Sequence, residues 1–247
     1  MPSRDVPAKP KASGYTFPMH ANSRPINSTQ PGVHEHLAQQ VSKHAASAFR
    51  KPITDYNRDA FEASMAAWHA DGRKPLVLDA GCGVGLSTLH LARQFPDHFV
   101  IGVDQSADRL ARKVQWPGTM PANCLRLRAD LVDYWRLLQD AGISLARHYL
   151  LYPNPWPKKQ HLGRRWHGHP VFPTIVALGG ALECRSNWRI YVEECASALT
   201  QLTGLAVPVE SLDAQRPITP FEEKYRASSH PLWRCRVTLP APPTPQQ

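Results

Sequence analysis

The sequence predicts one α/β domain whose mostly parallel central sheet carries helices on both faces. Three observations predict this fold. Short apolar runs that suit strands alternate with segments of helical periodicity from about residue 75 onward. A glycine-rich turn follows the first apolar run, and acidic residues end the next two runs. Strand, tight turn, helix and strand in this order form the βαβ unit of a parallel sheet.

The residues before the sheet divide into two parts. Residues 1–30 mix Pro, Ser, Asn and Lys without an apolar period, which predicts a flexible arm that adds nothing to the core. Residues 31–74 are predicted to form a helical extension, because apolar side chains recur at helical spacing over 37–49 and 60–68. Lys51-Pro52 separates these two helices.

The sheet domain is predicted to span residues 75–239, and a Pro-rich tail follows at 240–247. Apolar runs bounded by turn residues predict seven strands, at residues 75–80, 99–104, 125–130, 146–152, 181–185, 205–212 and 232–239. Helical periodicity predicts helices at residues 86–94, 107–113, 131–138 and 171–178, and a further helix that Asn187 would cap. A polar loop at 153–165 follows the fourth strand.

Composition favours an anionic partner and argues against a membrane span. Lys and Arg number 29 against 20 Asp and Glu, and the resulting net charge of +9 favours a polyanion such as nucleic acid. The longest apolar runs, such as residues 76–78, are far shorter than the ~20 residues of a membrane-spanning helix. No apolar segment follows the basic residues near the N-terminus, so we expect no secretory signal and a cytoplasmic protein.

Neither disulfides nor a metal site are predicted. The five Cys residues are an odd number, and no two of them have the two-residue spacing of a zinc knuckle, so reduced thiols are expected. His161, His167 and His169 lack an acid or a Cys at ligand spacing, which favours contact with phosphate or solvent over a metal ion.

The first candidate site is the turn Asp79-x-Gly81-x-Gly83-x-Gly85, which follows the first predicted strand. Glycines let backbone N–H groups approach a ligand, although an ordinary tight turn would also explain them. Asp104 follows Gly85 by 19 residues and ends the next strand, close to the ~20-residue offset of an acid that binds ribose hydroxyls. Asp130 ends the third strand at an equivalent place. The glycine spacing differs from that of a dinucleotide site and favours a ligand without phosphates.

The second candidate site is the loop after the fourth strand, where α/β sheets bind their ligands. Prolines on both sides of Asn154 would hold its amide in one direction, and Trp156 offers a face for stacking. The rest of the loop is rich in basic residues that suit phosphate groups: Lys158, Lys159, Arg164 and Arg165. The alternative is a solvated Pro-rich loop without a ligand.

Both sites resemble motifs of known methyltransferases. The acid-x-Gly-x-Gly-x-Gly turn resembles the first motif of class I S-adenosylmethionine-dependent methyltransferases. Three later motifs resemble the tRNA (guanine-N7)-methyltransferase family in order and separation: Pro153-Asn154-Pro155-Trp156 with Lys158, His161 and Arg164-Arg165, then Ser186-Asn187-Trp188, then Thr219-Pro220-Phe221-Glu222. The resemblance covers roughly residues 76–225.

The resemblance implies a Rossmann-like class I methyltransferase with S-adenosyl-L-methionine as cofactor and tRNA, or another RNA, as partner. It implies methyl transfer to N7 of a guanine in tRNA. In the implied cofactor site, Asp79 lies near the methionine ammonium, Asp104 binds the ribose and Asp130 lies near the adenine; the whole set is Asp79, Gly81, Gly83, Gly85, Asp104 and Asp130. The implied catalytic residue is Asn154, and the implied substrate-binding residues are Lys158, His161, Arg164, Arg165, Asn187, Thr219 and Glu222.

The chain departs from the family pattern at the two acids that the family places at the guanine, which are Asn154 and Asn187 here. A carboxylate only accepts hydrogen bonds, whereas an amide presents both an acceptor and a donor group. Methylation at N7 removes no proton, so proximity and alignment can carry the transfer without a carboxylate base.

Several alternatives stay open at this point. An Asn beside Pro and an aromatic residue also resembles the Asn-Pro-Pro-Tyr/Trp loop of amino-group methyltransferases, so the acceptor could be another base, a protein or a small molecule. A tRNA-binding protein that keeps the fold without guanine-N7 activity is a second alternative. Thr219 and Glu222 also match a capping box, which would give them a role at the start of a helix instead of a contact with the cofactor or the target base.

Overall fold

The computed structural model describes residues 23–240, and it confirms the predicted α/β fold. Seven strands are present in these residues: β1 (Leu76–Ala80), β2 (Phe99–Asp104), β3 (Cys124–Arg128), β4 (Arg147–Leu151), β5 (Gly180–Ser186), β6 (Val209–Ser211) and β7 (Trp233–Leu239). Eight α-helices accompany them in the described part of the chain: α1 (Leu37–Ala45), α2 (Asp55–Ala70), α3 (Leu86–Gln94), α4 (Ala107–Leu110), α5 (Leu131–Asp140), α6 (Phe172–Ala177), α7 (Arg189–Thr203) and α8 (Pro220–Ala227). Two short 3-10 helices, Lys159–Arg164 and Trp166–Gly168, follow β4.

All seven strands form one sheet in the order β3-β2-β1-β4-β5-β7-β6. β7 runs antiparallel to both of its neighbours, and the other pairs are parallel. The chain fills the sheet outward from β1 to β3 and then starts again on the other side of β1 with β4. The order therefore reverses between β1 and β4, and open α/β sheets bind ligands at the carboxyl ends of the strands at such a reversal.

The central strands are buried on both faces, which explains their continuous apolar sequence. Val77, Val100 and Ile101 are fully buried, and α5 covers one face with Trp135. The indole Nε1 of Trp135 donates to Nε2 of His148 on β4 over 3.0 Å. Burial lowers the pKa of His148 to about 3, so this histidine is a neutral core residue.

The end of the predicted flexible arm packs onto the domain, which corrects the prediction for residues 23–30. Gln30 is 5% exposed, and its amide Nε2 donates to Glu194 on α7. The hydroxyl of Ser28 donates to the carbonyl of Pro157 over 2.7 Å. Hydrophobic periodicity could not reveal this segment, because polar groups that pair with a buried charge hold it in place. Residues 1–22 of the arm and residues 241–247 of the tail lie outside the described residues.

Several element ends differ from the prediction. Asn187 does not cap α7; Trp188 occupies the N-cap position, and its backbone N–H donates to the Ser186 hydroxyl over 3.0 Å. β6 begins only after Pro208, because proline has no N–H for a strand ladder. Within residues 23–240, no helix has both the length and the apolar content that crossing a bilayer would need.

Candidate active site

The candidate active site lies at the carboxyl edge of the sheet, on both sides of the reversal between β1 and β4. The glycine turn leaves β1 there, and the loops that begin at Pro153 and Asn187 leave the adjacent strands β4 and β5. Parallel pairing brings all three loops to one edge. The structure thus brings together the two sites that the sequence predicts separately.

The glycine turn is fixed by its own backbone and by Asp104. Gly81, Gly83 and Gly85 have φ angles of 82°, 60° and 83°, a region that residues with a Cβ rarely adopt. The N–H of Gly81 donates to the carbonyl of Val103 over 2.8 Å. The N–H of Gly83 donates to the carboxylate of Asp104 over 2.9 Å. The turn is therefore tied to the end of β2.

Gly85 and Gly83 are glycines for different reasons. A Cβ at Gly85 would lie 2.0 Å from Cδ of Arg126, whose guanidinium Nη1 donates to the carbonyl of Val84 over 2.7 Å. Internal packing therefore accounts for Gly85. A Cβ at Gly83 would meet no atom of residues 23–240 within 4 Å, so the described structure leaves open backbone at this glycine.

Asp79 lies beneath the turn with one oxygen used and one free. Its Oδ2 accepts from the hydroxyls of Ser87 over 2.6 Å and Thr88 over 2.7 Å, whereas its Oδ1 has no partner among the described residues. Burial raises the pKa of Asp79 to about 6, although the two hydroxyl groups oppose that rise. A buried carboxylate oxygen without a partner is a suitable acceptor for a ligand ammonium group.

The other two acids hold loops in the structure. Asp104 is 3% exposed, and its Oδ1 accepts from the N–H of Ser106 over 2.8 Å. Asp130 begins α5, where its side chain accepts from the N–H of Val132 over 2.8 Å, and Lys51 Nζ lies 3.6 Å from its other oxygen. Their contacts with ribose and adenine stay predictions.

The loop after β4 has a constrained backbone around Asn154. Tyr152 and Trp156 have positive φ angles of 52° and 44°, which are uncommon for residues other than glycine. Asn154 is exposed, and its Oδ1 accepts from the N–H of Trp156 over 3.4 Å. This contact engages the oxygen of Asn154, so that its NH2 group can donate to a ligand.

Three of the predicted basic residues form a basic patch beside Asn154, in which His161 is half-buried; Lys159 is exposed as well, with its Nζ 3.4 Å from Glu35. Lys158 and Arg164 are exposed, and the Arg164 guanidinium lies 4.7 Å from the centre of the Trp156 ring. The ring of His161 meets Trp156 edge-on at 5.5 Å. A cation, an imidazole and an indole in contact suit a ribonucleotide, which offers both phosphate and base.

Arg165 does not belong to that patch, which corrects its predicted contact with RNA. The side chain is 0% exposed, and its Nη1 donates to both carboxylate oxygens of Glu194 over 2.7 and 2.6 Å. Its Nη2 donates to Gln30 over 3.1 Å, and its Nε donates to the carbonyl of Trp156 over 3.2 Å. Arg165 therefore anchors the loop to α7 and cannot reach a phosphate.

Sequence reasoning missed Glu194 and misplaced its second partner, His167. Nε2 of His167 lies 2.8 Å from Glu194, and both side chains are buried, so His167 contacts neither phosphate nor solvent. Burial alone would raise the pKa of Glu194, but His167 and Arg165 outweigh it and lower this pKa to about 2. One signal was available: Glu194 interrupts the apolar face that predicts the core contact of α7, and a buried acid requires a partner.

The last motif has a structural role. Thr219 accepts from the N–H of Glu222 over 2.9 Å at the start of α8, as in a capping box. Glu222 is 0% exposed and accepts from the hydroxyl of Tyr152 over 2.7 Å and from Arg185 Nη1 over 2.9 Å. The predicted substrate contact of Glu222 is therefore corrected, because its buried carboxylate pairs within the protein. The predicted contact of Thr219 stays a prediction.

Asn187 stays at the site, half-buried at the end of β5. Its amide Nδ2 donates to Nδ1 of His230 over 3.1 Å. His230 carried no signal in the sequence, since it lies 43 residues further along the chain.

Comparisons with known proteins show the family of this chain. A family model described as "Putative methyltransferase" matches residues 73–235. A tRNA (guanine-N(7)-)-methyltransferase of Nitrosococcus oceani is 30% identical to this chain, over 65% of this chain and 70% of that protein. The chain belongs to the tRNA (guanine-N7)-methyltransferase family. An Acidovorax protein with the same name is 28% identical over 92% of this methyltransferase and 93% of its own length.

A solved structure supports the fold alone. An antibiotic-related methyltransferase superposes with a TM-score of 0.53 at 15% identity, and the match covers 80% of this chain and 98% of that one.

The residues at the glycine turn fit the S-adenosylmethionine that the sequence resemblance implies. Gly83 leaves open backbone, and at Gly81 the nearest atom to an added Cβ would be Leu131 Cδ1 at 3.9 Å. Asp79 offers a carboxylate oxygen beneath the turn that pairs with no described residue. A ligand with a cationic amino group and no phosphate suits this donor set better than a nucleotide phosphate does.

Proposed function

We propose that this methyltransferase uses S-adenosylmethionine to methylate N7 of a guanine in tRNA. The observation that carries the proposal is the position of Asn154 and Asn187 at the ends of adjacent strands, beside the glycine turn. The names of the relatives support tRNA guanine as the acceptor. A tRNA substrate would be met in the cytoplasm, which we therefore propose as the location.

The proposed cofactor site uses the turn and the acids around it. S-adenosylmethionine supplies a methyl group on a positively charged sulfur. Gly81 and Gly83 let the backbone approach the cofactor, and Asp79 Oδ1 accepts from its ammonium group. Asp104 binds the ribose and Asp130 lies near the adenine in this proposal. Gly85 acts indirectly, by leaving space for Arg126 beneath the turn.

Guanine N7 carries a lone pair and no proton, so the chain needs no general base at this position. S-adenosylmethionine held at the glycine turn and Asp79 would supply the methyl group to the N7 lone pair, and its sulfur would keep the electron pair of the broken bond. The task of the protein is to hold N7 in line with the methyl group and to exclude water. Neither an Asp nor a His has to remove a proton.

The two amides can recognise the guanine edge together. Asn154 presents its NH2 group and can donate to O6, because its oxygen is engaged with the N–H of Trp156. Asn187 presents its oxygen to N1–H and N2–H2, because its NH2 group is engaged with His230. Adenine has a donor at position 6 and no proton at N1, so this pair of amides disfavours adenine.

The basic patch binds the RNA backbone in this proposal. Lys158, His161 and Arg164 contact phosphates, and Trp156 provides a stacking face. The buried residues Arg165 and Glu222 hold this surface in place without contacting the RNA.

The experiment is methyl transfer from isotopically labelled S-adenosylmethionine to tRNA that lacks 7-methylguanosine, followed by nucleoside mass spectrometry. We expect the label in 7-methylguanosine. Asp104→Ala should lose cofactor affinity in calorimetry and keep tRNA binding. Lys74→Ala is the matched control, because Lys74 precedes β1 at the opposite edge of the sheet and should behave as the unchanged protein.

The other outcomes separate the alternatives. Label in a different nucleoside, a protein or a small molecule would move the acceptor and contradict the guanine assignment. Tight tRNA binding without label in any acceptor would indicate a tRNA-binding protein that has kept the fold.

A further inference from the structure

We infer that His230 is a positioning residue that orients the amide of Asn187, so that the carbonyl oxygen of Asn187 and not its NH2 group faces the acceptor base. This inference rests on the proposed function, because it explains how an Asn can replace the acid that the family pattern has at this position. It assigns His230 no contact with the base itself.

A backbone carbonyl determines the protonation of the His230 ring. Nε2 of His230 lies 3.0 Å from the carbonyl oxygen of Ser23, which can only accept a hydrogen bond. Nε2 therefore carries the proton, and Nδ1 of the neutral ring is an acceptor. The carbonyl thus selects one of the two tautomers of His230.

The tautomer in turn determines the direction of the Asn187 amide. Nδ1 of His230 lies 3.1 Å from Nδ2 of Asn187, and an acceptor at this place requires the NH2 group of the amide to face it. A reversed amide would place two acceptors against each other. Among residues 23–240 no hydrogen bond to Oδ1 of Asn187 is found, so this oxygen is free to accept from a ligand.

The His230 ring is held rigidly enough to serve this purpose. It stacks on Tyr225 with 5.5 Å between ring centres and 12° between planes. Phe221 stacks on Tyr225 at 6.1 Å, and Tyr152 contacts Tyr225 at 5.6 Å. The N–H of His230 also donates to the carbonyl of Tyr225 over 2.9 Å. Ring and backbone are therefore both fixed relative to α8.

The consequence is that Asn187 presents what an Asp would present. A carboxylate offers an oxygen in either orientation, whereas an amide does so only if its NH2 group is engaged elsewhere. His230 engages that group. Guanine N1–H and N2–H2 then meet an acceptor, as they would in a family member with the acid.

A double-mutant cycle tests this role. His230→Phe keeps an aromatic ring on Tyr225 and removes both ring nitrogens. In the otherwise unchanged protein, we expect it to lower kcat/KM for tRNA by about tenfold, because the amide can then turn its NH2 group toward the donors of guanine. Combined with Asn187→Asp, the same change should lower kcat/KM by less than about threefold, because either carboxylate oxygen accepts. Equal losses in both backgrounds would show that His230 only stabilises the fold and would overturn the inference.

A second measurement does not depend on activity. In protein labelled with 15N at histidine, two-bond 1H–15N spectra recorded at about pH 8 report which ring nitrogen carries the proton. The His230→Phe spectrum identifies the His230 signals. A protonated Nε2 with a bare Nδ1 is expected, and the opposite tautomer would overturn the inference. If the protein transfers no methyl group to guanine, the proposed function fails, and this spectrum still decides the arrangement of His230.

Discussion

Arg164 and Arg165 are adjacent in the sequence and have opposite surroundings. Arg164 is exposed over the Trp156 ring, whereas Arg165 is buried against Glu194. We expect Arg165→Met to lower the free energy of unfolding by about 3–5 kcal/mol, because it leaves a buried carboxylate with fewer partners. Arg164→Met should change it by less than about 0.5 kcal/mol. Urea unfolding followed by circular dichroism measures both, and equal stability of the two variants would contradict the assignment of Arg165.

Replacing Arg164 should lower the affinity for RNA although it leaves the stability of the fold nearly unchanged. Arg164→Met should weaken tRNA binding and reduce the slope of log affinity against log salt concentration by about one, because one phosphate contact is lost. Lys74→Met is the matched control for a cation at the opposite edge and should leave the slope unchanged. Fluorescence anisotropy over a salt series measures it. An unchanged slope for Arg164→Met would remove Arg164 from the RNA surface.

Asp79 makes cofactor binding depend on pH. Its pKa in the folded protein is raised from 3.8 to about 6, so the carboxyl group becomes neutral as pH falls through about 6. A neutral group attracts an ammonium less, so affinity for S-adenosylmethionine should fall about tenfold between pH 7 and pH 5. Asp79→Asn should bind weakly at both pH values. Calorimetry at pH 5 and 7 tests this, and the same pH dependence in the variant would exclude Asp79 as its cause.

The ionisation of Asp79 has the opposite effect on the stability of the cofactor-free protein. The folded pKa is raised, so the fold favours the protonated carboxyl group and loses stability as pH rises from 3.8 to about 6. Asp79→Asn should therefore raise the free energy of unfolding of the cofactor-free protein at pH 7.

Single residues could be predicted from the sequence where their chemistry is local. The glycine turn, Asn154 and Asn187 belong to short motifs, and the structure brings them to one edge. The burial of Arg165 could not be predicted, because its partners Glu194 and Gln30 lie 29 and 135 positions away in the chain. An Arg in a basic run has the same sequence pattern whether it faces solvent or a buried acid.

Among the elements, the glycine turn offers a matched pair of substitutions. Gly83→Ala introduces only an unfavourable backbone angle, whereas Gly85→Ala also brings a Cβ against Arg126. We expect about 1–2 kcal/mol of destabilisation for Gly83→Ala and more for Gly85→Ala. Adding Arg126→Ala to Gly85→Ala should recover the difference. Urea unfolding of the three variants tests this, and no recovery would mean that Arg126 does not account for Gly85.

Element types were easier to predict than element ends. Apolar periodicity is a property of the segment itself, so each predicted helix and strand of the sheet domain is present. The ends of helices and strands depend on contacts with other residues. At the start of α7, Asn187 was expected to be the cap, but the N-cap residue is Trp188, whose N–H donates to the Ser186 hydroxyl. The packing of residues 23–30 depends on Glu194 and could not be read from those residues alone.

The whole molecule brings the site together through its sheet order. Placing β4 beside β1 puts the Asn154 loop next to the glycine turn, although about seventy residues separate them in the chain. Alternating strands and helices predicted the parallel part of the sheet. The apolar pattern could not predict that β7 lies antiparallel between β5 and β6, because the direction of a strand leaves no periodic signal in the sequence.

The central claim is that the methyl group is transferred to N7 of guanine, and replacing that one atom tests it most directly. A tRNA transcript made with 7-deazaguanosine has C–H in place of N7 and keeps the O6, N1–H and N2–H2 groups that Asn154 and Asn187 are proposed to contact. We predict that this transcript competes for binding within about twofold of the ordinary transcript and takes up no labelled methyl group, whereas the ordinary transcript does. Equal labelling of both transcripts would contradict the claim, because the acceptor atom would then lie elsewhere.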